Sequence, residues 1–80
     1  MALTDTELAM LELERSWFTI AGTKDAAIGE RFGISTGQYY RDLNGLLDRT
    51  DALEADPLTV RRLRRMRERR RAERSSRGVV

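Results

Sequence analysis

Cysteine and histidine are both absent from this 80-residue chain, and proline occurs only once. Without cysteine there is no disulfide framework, no thiolate nucleophile and no thiolate-bound zinc, and without histidine there is no imidazole base. No glycine-rich phosphate loop follows a strand pattern either. We therefore expect no catalytic residue, no metal site and no cofactor, and the chain is not expected to be an enzyme.

Long apolar runs are also missing. No window holds the roughly 18 uninterrupted apolar residues of a membrane span, and the N-terminal MALTDTELAM lacks the basic flank and apolar core of a signal peptide. At 80 residues, one domain is the upper bound. The sequence thus predicts a single soluble, cytoplasmic domain with no membrane partner.

Charge is abundant, at 35% of all residues, but it is unevenly distributed. Residues 1–57 carry five basic and 11 acidic groups, a net charge of −6. Residues 58–80 carry ten arginines and two glutamates, a net charge of +8. This asymmetry is typical of a compact body with a basic arm for a polyanion. The alternative is a solvated helix in which arginine serves solubility.

The spacing of apolar residues predicts an all-α fold. They recur mostly three and four positions apart, and no segment shows the period-two alternation of a strand. We expect a small helix-turn-helix bundle of three to four helices in residues 1–56, with a further turn at 50–55. Its main helices are predicted at about 5–20, 24–32 and 36–48.

Capping side chains mark the boundaries of these helices. Glu7 and Gln38 complete capping boxes with the first and third N-caps, and Gly33 suits a left-handed stop. The residues expected to N-cap the helices are Thr4, Thr23, Ser35 and Asp56.

A basic C-terminal helix is predicted at 57–74, because Asp56 is followed by Pro57, a residue favoured at the first helical position. Its apolar stripe is expected to be Leu58, Val60, Leu63 and Met66. Arginines four positions apart then repel each other by a few tenths of a kcal/mol per pair. The helix is therefore expected to fray beyond about residue 70 in the free protein, and 75–80 to form a disordered tail.

The segment 28–43 predicts a helix-turn-helix. A short helix, a tight turn at Gly33 and a second helix opened by Ser35 have the required order. We expect Gly29 to lie where the two helices approach most closely. Tyr39 is expected to face the core, which leaves the outer face of the second helix free to enter a major groove.

The string E-R-F-G-I-S-T-G-Q-Y resembles sigma-factor region 4 and response-regulator DNA-binding domains, which often read E-R-L-G-I-S-x-G-x-V. This resemblance implies DNA binding. About residues 4–70 also resemble a family of short actinobacterial proteins of uncharacterised function. The positions that carry this second resemblance are Trp17-Phe18, Ala21-Gly22, Lys24, Phe32-Gly33, Tyr39-Tyr40, Leu43-Asn44, Asp56-Pro57 and an arginine-rich end.

Helix geometry selects the candidate DNA contacts on the third helix. Gln38 and Asn44 are suited to bidentate contacts with adenine, and Arg41 to guanine. Thr36 and Tyr40 are suited to phosphate contacts at the groove edge. The alternative is that these residues form only the solvated face of a core helix.

The basic helix supplies the other candidates. Phosphate contacts are expected from Arg61, Arg62, Arg64 and Arg65, because Leu63 and Met66 should hold this part of the helix in place. Asp42 and Asp48 oppose DNA binding by their charge, and Asp42 is expected to pair with Arg31 or Arg49.

These features predict a DNA-binding protein of the nucleoid, either a transcriptional regulator or a nucleoid-associated factor. One alternative is an adaptor that binds a protein of the transcription machinery through an acidic face of helix 1, formed by Glu7, Glu12 and Glu14. Another is RNA binding through the arginine-rich arm. A homodimer stays open, since one of Trp17 and Phe18 is expected in the core and the other at a boundary or dimer contact.

Overall fold

The computed structural model describes residues 3–17 and 22–78, with side chains as far as Arg74. The described residues form five helices and no strand, so the predicted all-α bundle is confirmed. The helices are α1 (Asp5–Ser16), α2 (Lys24–Phe32), α3 (Thr36–Leu47), α4 (Thr50–Ala55) and α5 (Pro57–Gly78). None of the helices in the described part of the chain has both the length and the apolar composition to cross a membrane.

The predicted N-caps are confirmed. The Thr4 hydroxyl accepts the Glu7 amide at 3.1 Å, and the Glu7 carboxylate accepts the Thr4 amide at 2.8 Å, which completes a capping box. The hydroxyls of Thr23 and Ser35 each accept an amide at 3.1 Å. These bonds satisfy backbone donors that helices α1, α2 and α3 would otherwise leave without partners.

Asp56 also caps as predicted, since its carboxylate accepts the Thr59 amide at 3.3 Å at the start of α5. Of the second predicted capping box, only the bond from the Gln38 amide to the Ser35 hydroxyl is present. The Gln38 side chain does not return to the N-cap but donates from Nε2 to Asp42 Oδ1 at 2.8 Å, one turn further along α3.

The ends of two helices differ from the prediction. Helix α1 ends at Ser16, and 18–20, which were also predicted to be helical, lie outside the described residues. At the other end of the chain, α5 continues to Gly78, so that 75–78 are helical where a disordered tail was expected. Arginine, glutamate and alanine are all good helix formers, and Arg71 pairs with Glu68 at 3.3 Å across one turn.

The core draws on all five helices and centres on Tyr39, the largest of its fully buried side chains. Helix α4 contributes Ala52, with Leu53 packed against the same cluster. The buried apolar residues are Met10, Leu11, Leu13, Ala27, Ile28, Tyr39, Leu43, Leu46, Leu47, Ala52 and Val60.

The apolar stripe of α5 is shorter than predicted. Val60 is fully buried and Leu63 packs against the core, but Leu58 is 80% exposed and Met66 is 39% exposed. The expectation for Leu58 is wrong because this side chain lies on the far side of α5 from Val60, two residues and about 200° away. Helix α5 is thus attached to the body over only two to three turns.

The expectation for Gly29 is also wrong. A Cβ atom built at this position meets no atom within 4 Å outside its own helix, so the approach of α2 to α3 does not require glycine there. The glycine at the turn is different. Gly33 has φ +65°, in the left-handed region, and its amide donates to the carbonyl of Gly29 at 3.0 Å.

We expect Gly29→Ala to raise the free energy of unfolding by about 0.5–1 kcal/mol, because alanine is favoured over glycine inside a helix. Gly33→Ala should lower it by about 1–2 kcal/mol, because a Cβ atom is strained at positive φ. Urea unfolding followed by circular dichroism measures both. A loss of stability in Gly29→Ala would contradict the open space found beside this glycine.

Candidate nucleic-acid interface

The outer face of α3 carries the predicted base contacts. Arg41 and Asn44 are exposed on this face, and Gln38 is half-buried against Asp42. The pairing predicted for Asp42 is therefore wrong: its partner is Gln38, whereas Arg49 forms ion pairs with Glu7 and Asp51. Since the first turn of α3 contains no acidic residue, nothing there offsets the positive end of the helix dipole.

Thr36 and Tyr40, the predicted edge contacts on α3, are both half-buried. The Tyr40 ring meets the Tyr39 ring edge to face, with centroids 5.2 Å apart. Lys24 Nζ lies 5.0 Å from the centroid of the Tyr40 ring and 5.7 Å from that of Trp17. Trp17 is 44% exposed, and Phe18, its predicted counterpart, lies outside the described residues. These contacts fix the Tyr40 ring at the rim of α3.

A buried carboxylate holds α3 in place. Glu14 on α1 is only 3% exposed. Its Oε2 accepts the Tyr39 hydroxyl of α3 at 2.6 Å, and its Oε1 accepts Lys24 Nζ of α2 at 2.8 Å. The burial of Tyr39 and its bond to Glu14 raise the pKa of the phenol well above its usual value. One side chain therefore ties α1, α2 and α3 together.

The predicted acidic face of α1 does not exist as a continuous surface. Glu14 is buried, and Glu7 is engaged by the Thr4 amide and by Arg49. The bond from the Thr4 amide holds the pKa of Glu7 below its ordinary value. Of the three glutamates, Glu12 alone remains exposed. Over the part of the chain that the structure describes, no group of three or more acidic side chains could hold a metal ion.

Two of the four arginines predicted to contact phosphate are engaged within the protein. Arg62 Nη2 donates to the carbonyl of Glu14 at 2.8 Å, and Arg64 Nε donates to the carbonyl of Leu47 at 2.6 Å. Both acceptors lie in the last turn of a helix, α1 and α3 respectively. Cations stabilise such helix ends because the last carbonyls lack amide partners and carry negative partial charge.

Arg67 extends this attachment by one further turn. Its guanidinium donates to the carbonyl of Asn44 at 3.4 Å and to Asp48 Oδ1 at 2.7 Å. The bond from Arg67 holds the pKa of Asp48 below its ordinary value. The negative charge of Asp48 at the end of α3 is thus paired within the protein.

An open groove of about 800 Å³ separates α3 from the far half of α5. Tyr40, Asn44 and Asp48 line the α3 side, and Lys24 closes the end nearest α2. The α5 side carries an arginine row that we call the inner row. Its members are Arg67, Arg70, Arg71 and Arg74.

Sequence reasoning did not place the inner row beside α3, although a signal was present. Arg67 and Arg74 lie seven and fourteen residues after the buried Val60, and Arg70 lies seven after Leu63. Residues seven apart share nearly the same face of a helix. The face that packs against the core in the first turns of α5 therefore becomes the arginine face beside α3.

A second set of arginines lies on the other side of α5. Arg61, Arg65 and Arg69, which we call the outer row, are all exposed. Within the described residues, none of these three side chains forms a hydrogen bond or ion pair. The predicted phosphate contacts Arg61 and Arg65 thus keep free guanidinium groups, but they do not line the groove beside α3.

Comparison with known proteins identifies a family without an assigned activity. The family model described as "Protein of unknown function (DUF3263)" matches residues 2–75. No curated protein and no solved structure matches the chain.

Tyr39→Phe is expected to lower the free energy of unfolding by about 1–3 kcal/mol, because it leaves Oε2 of the buried Glu14 carboxylate without a donor. Tyr40→Phe is the matched control, since no hydrogen bond of its hydroxyl is found in the described structure. Chemical unfolding at neutral pH measures both variants. Equal losses would show that the Tyr39 hydroxyl is not what stabilises this site.

The effect of Tyr39→Phe should also depend on pH. The pKa of Tyr39 is raised in the folded protein, so the folded state keeps its proton while the unfolded chain loses it above about pH 10. The stability linked to this proton is present below pH 10 and declines as the pH rises further. The difference in stability between wild type and Tyr39→Phe should therefore shrink between pH 9 and pH 11.

Arg64→Ala is expected to lower the free energy of unfolding by about 1–2 kcal/mol, because it removes a charged donor from the end of α3. Its neighbour Arg65 has no partner within the described residues, so Arg65→Ala should stay within about 0.5 kcal/mol of wild type. Thermal unfolding of the two variants distinguishes a structural arginine from an available one. A larger loss in Arg65→Ala would contradict this assignment.

Proposed function

We propose that this chain, which belongs to the DUF3263 family of proteins of unknown function, is a DNA-binding protein. Helix α3 would read bases in the major groove while arginines of α5 hold the phosphates. The observation that carries the proposal is the groove between α3 and α5, in which the exposed Arg70, Arg71 and Arg74 share the lining with polar residues of α3. DNA recognition needs both a helix with free polar side chains and adjacent cations for the backbone.

The polar residues of α3 are suited to base contacts. Arg41 is exposed and has no partner within the described residues, so its planar guanidinium is available to guanine. Asn44 is exposed one turn later. Gln38 is held by Asp42, but an exposed pair four residues apart contributes only about 0.2–0.5 kcal/mol. Gln38 can therefore exchange this bond for an adenine edge at little cost.

The proposed phosphate contacts lie along the groove between α3 and α5. The inner row lies beside Tyr40 and Asn44, where the backbone bordering the major groove would pass if α3 lay within it. Asp48, which would repel that backbone, is paired with Arg67. The 22 residues of α5 span about 33 Å, close to the roughly 34 Å of one turn of duplex DNA. The inner row covers seven residues of that length, or about 10 Å, so its arginines would follow the backbone for about a third of a turn.

These properties suit a transcriptional regulator or a nucleoid-associated factor located in the cytoplasm at the nucleoid. The adaptor alternative is weaker, because Glu14 is buried and Glu7 is paired, which leaves no acidic face on α1. RNA is also a weaker ligand. The major groove of an A-form duplex is too deep and narrow to be read by side chains, so the polar face of α3 would have no use there.

Selection of bound duplexes from a random-sequence pool tests the proposal. We expect duplex DNA to be retained at low salt and a short motif to be enriched if the protein is a sequence-specific regulator. Retention without a motif would identify a nucleoid-associated factor. A protein that retains no duplex at low salt, while single-stranded RNA or a protein partner is captured, would refute DNA binding.

Two matched arginine substitutions separate the proposed roles. Arg41→Ala should relax the selected motif at one position, at a cost of about 1–3 kcal/mol on the preferred base. Arg70→Ala should weaken all duplexes alike and reduce the slope of log K against log salt by about 1. Fluorescence anisotropy in increasing salt measures the second effect. If Arg70→Ala leaves the slope unchanged, the inner row does not contact phosphate.

A further inference from the structure

Helix α5 presents arginine on two faces, and the proposed contact with one duplex uses only one of them. At 100° per residue, Arg65 is turned about 180° from Arg74 and about 200° from Arg67 around the helix axis. The centres of the inner and outer rows therefore lie on nearly opposite sides of α5, although their nearest members, Arg69 and Arg70, are only about 100° apart. A duplex that rests on α3 and on the inner row leaves the outer row pointing away from it.

The outer row is a regular and uncompensated array of charge. Arg61, Arg65 and Arg69 follow one another at four-residue steps, which rise about 6 Å and turn only about 40° each. All three are exposed, and within the described residues none is paired with a carboxylate. Of the two acidic residues on α5, Glu68 is paired with Arg71 at 3.3 Å, and Glu73, four residues after Arg69, forms no ion pair with it within the described residues.

The charges of the outer row do not stabilise the fold of the protein. Like charges four positions apart on a helix destabilise it by a few tenths of a kcal/mol per pair. The structural roles on α5 are filled by Arg62, Arg64 and Arg67, which bind carbonyl groups of the body. A regular row of three guanidinium groups is complementary to a polyanion with closely spaced negative charges, such as the phosphate backbone of a duplex.

We propose that the outer row binds the phosphate backbone of a second DNA duplex, so that one protein molecule bridges two duplexes. This inference rests on the proposed function, because the first duplex is the one held by α3 and the inner row. The second contact is independent of sequence and is made only through phosphates, since no base-reading side chain accompanies the outer row. It is weaker than the first, because it involves three arginines and no groove.

A two-duplex capture experiment tests the bridge with the full-length protein. One duplex is biotinylated and held on beads, and a second, fluorescent duplex of the same sequence is free in solution. Wild type should retain the fluorescent duplex on the beads when protein is limiting. Retention should fall when protein is in large excess, because each duplex then becomes coated separately.

The decisive variant replaces the outer row by Arg61→Gln, Arg65→Gln and Arg69→Gln together. Its affinity for one duplex, measured by anisotropy, should stay within about threefold of wild type, with an unchanged salt slope. Its retention of the fluorescent duplex should fall to the level without protein. The matched control carries Arg70→Gln, Arg71→Gln and Arg74→Gln, the same change in charge on the inner row, and should lose affinity for the first duplex with a slope lower by about 3.

Each other outcome is informative. If wild type binds one duplex but never retains the second, the bridge is refuted and the proposed function stands. If the outer-row variant still bridges, the second contact comes from elsewhere, such as a second copy of the chain, and the inference is wrong. If its salt slope falls by about 3 on one duplex, both rows hold the same duplex. If wild type binds no duplex at all, both proposals fail.

Discussion

The buried carboxylate of Glu14 is the interaction on which the arrangement of helices depends. A carboxylate removed from water is tolerated only when it is paired and hydrogen-bonded, and here the partners come from two other helices, Lys24 of α2 and Tyr39 of α3. The backbone carbonyl of the same residue accepts Arg62 of α5. Four helices therefore meet at one residue of α1, and any rotation of α3 about its axis would remove one of the two donors to this buried carboxylate.

Arginine then determines where α5 lies relative to α3. Among the described side chains of α5, only Val60 and Leu63 belong to the apolar core or pack against it, and both lie in the first two turns. Further along α5, Arg64 and Arg67 bind the carbonyl groups of Leu47 and Asn44. Because these acceptors belong to the last turn of α3, the attachment brings the arginine-rich half of α5 alongside the polar face of that helix. The groove therefore has its position because Arg64 and Arg67 of α5 bind the C-terminal end of α3.

Local features of this fold could be predicted from the sequence, and features that depend on tertiary partners could not. The N-caps and the turn at Gly33 are determined by residues within four positions of each other, so their signals are complete in the sequence. Glu14 gives no such signal, since a glutamate on an amphipathic helix is ordinarily solvated, and its partners are 10 and 25 residues away. The arginines of α5 were predicted as one basic arm for the same reason: their number was visible in the sequence, but their acceptors were not.

Because the arginines of α5 differ in their contacts, not all of the positive charge in the C-terminal segment is available to a polyanion. Ten arginines in residues 58–80 suggest a uniformly basic arm, yet Arg62, Arg64 and Arg67 already donate to the body and partly neutralise the ends of α1 and α3. The charge that remains for a polyanion is smaller and is ordered into two rows on opposite faces. A flexible arm could wrap all its cations around one duplex, whereas a helix of fixed direction cannot. The fixed direction of α5 therefore divides an excess of positive charge into two separate rows of arginine.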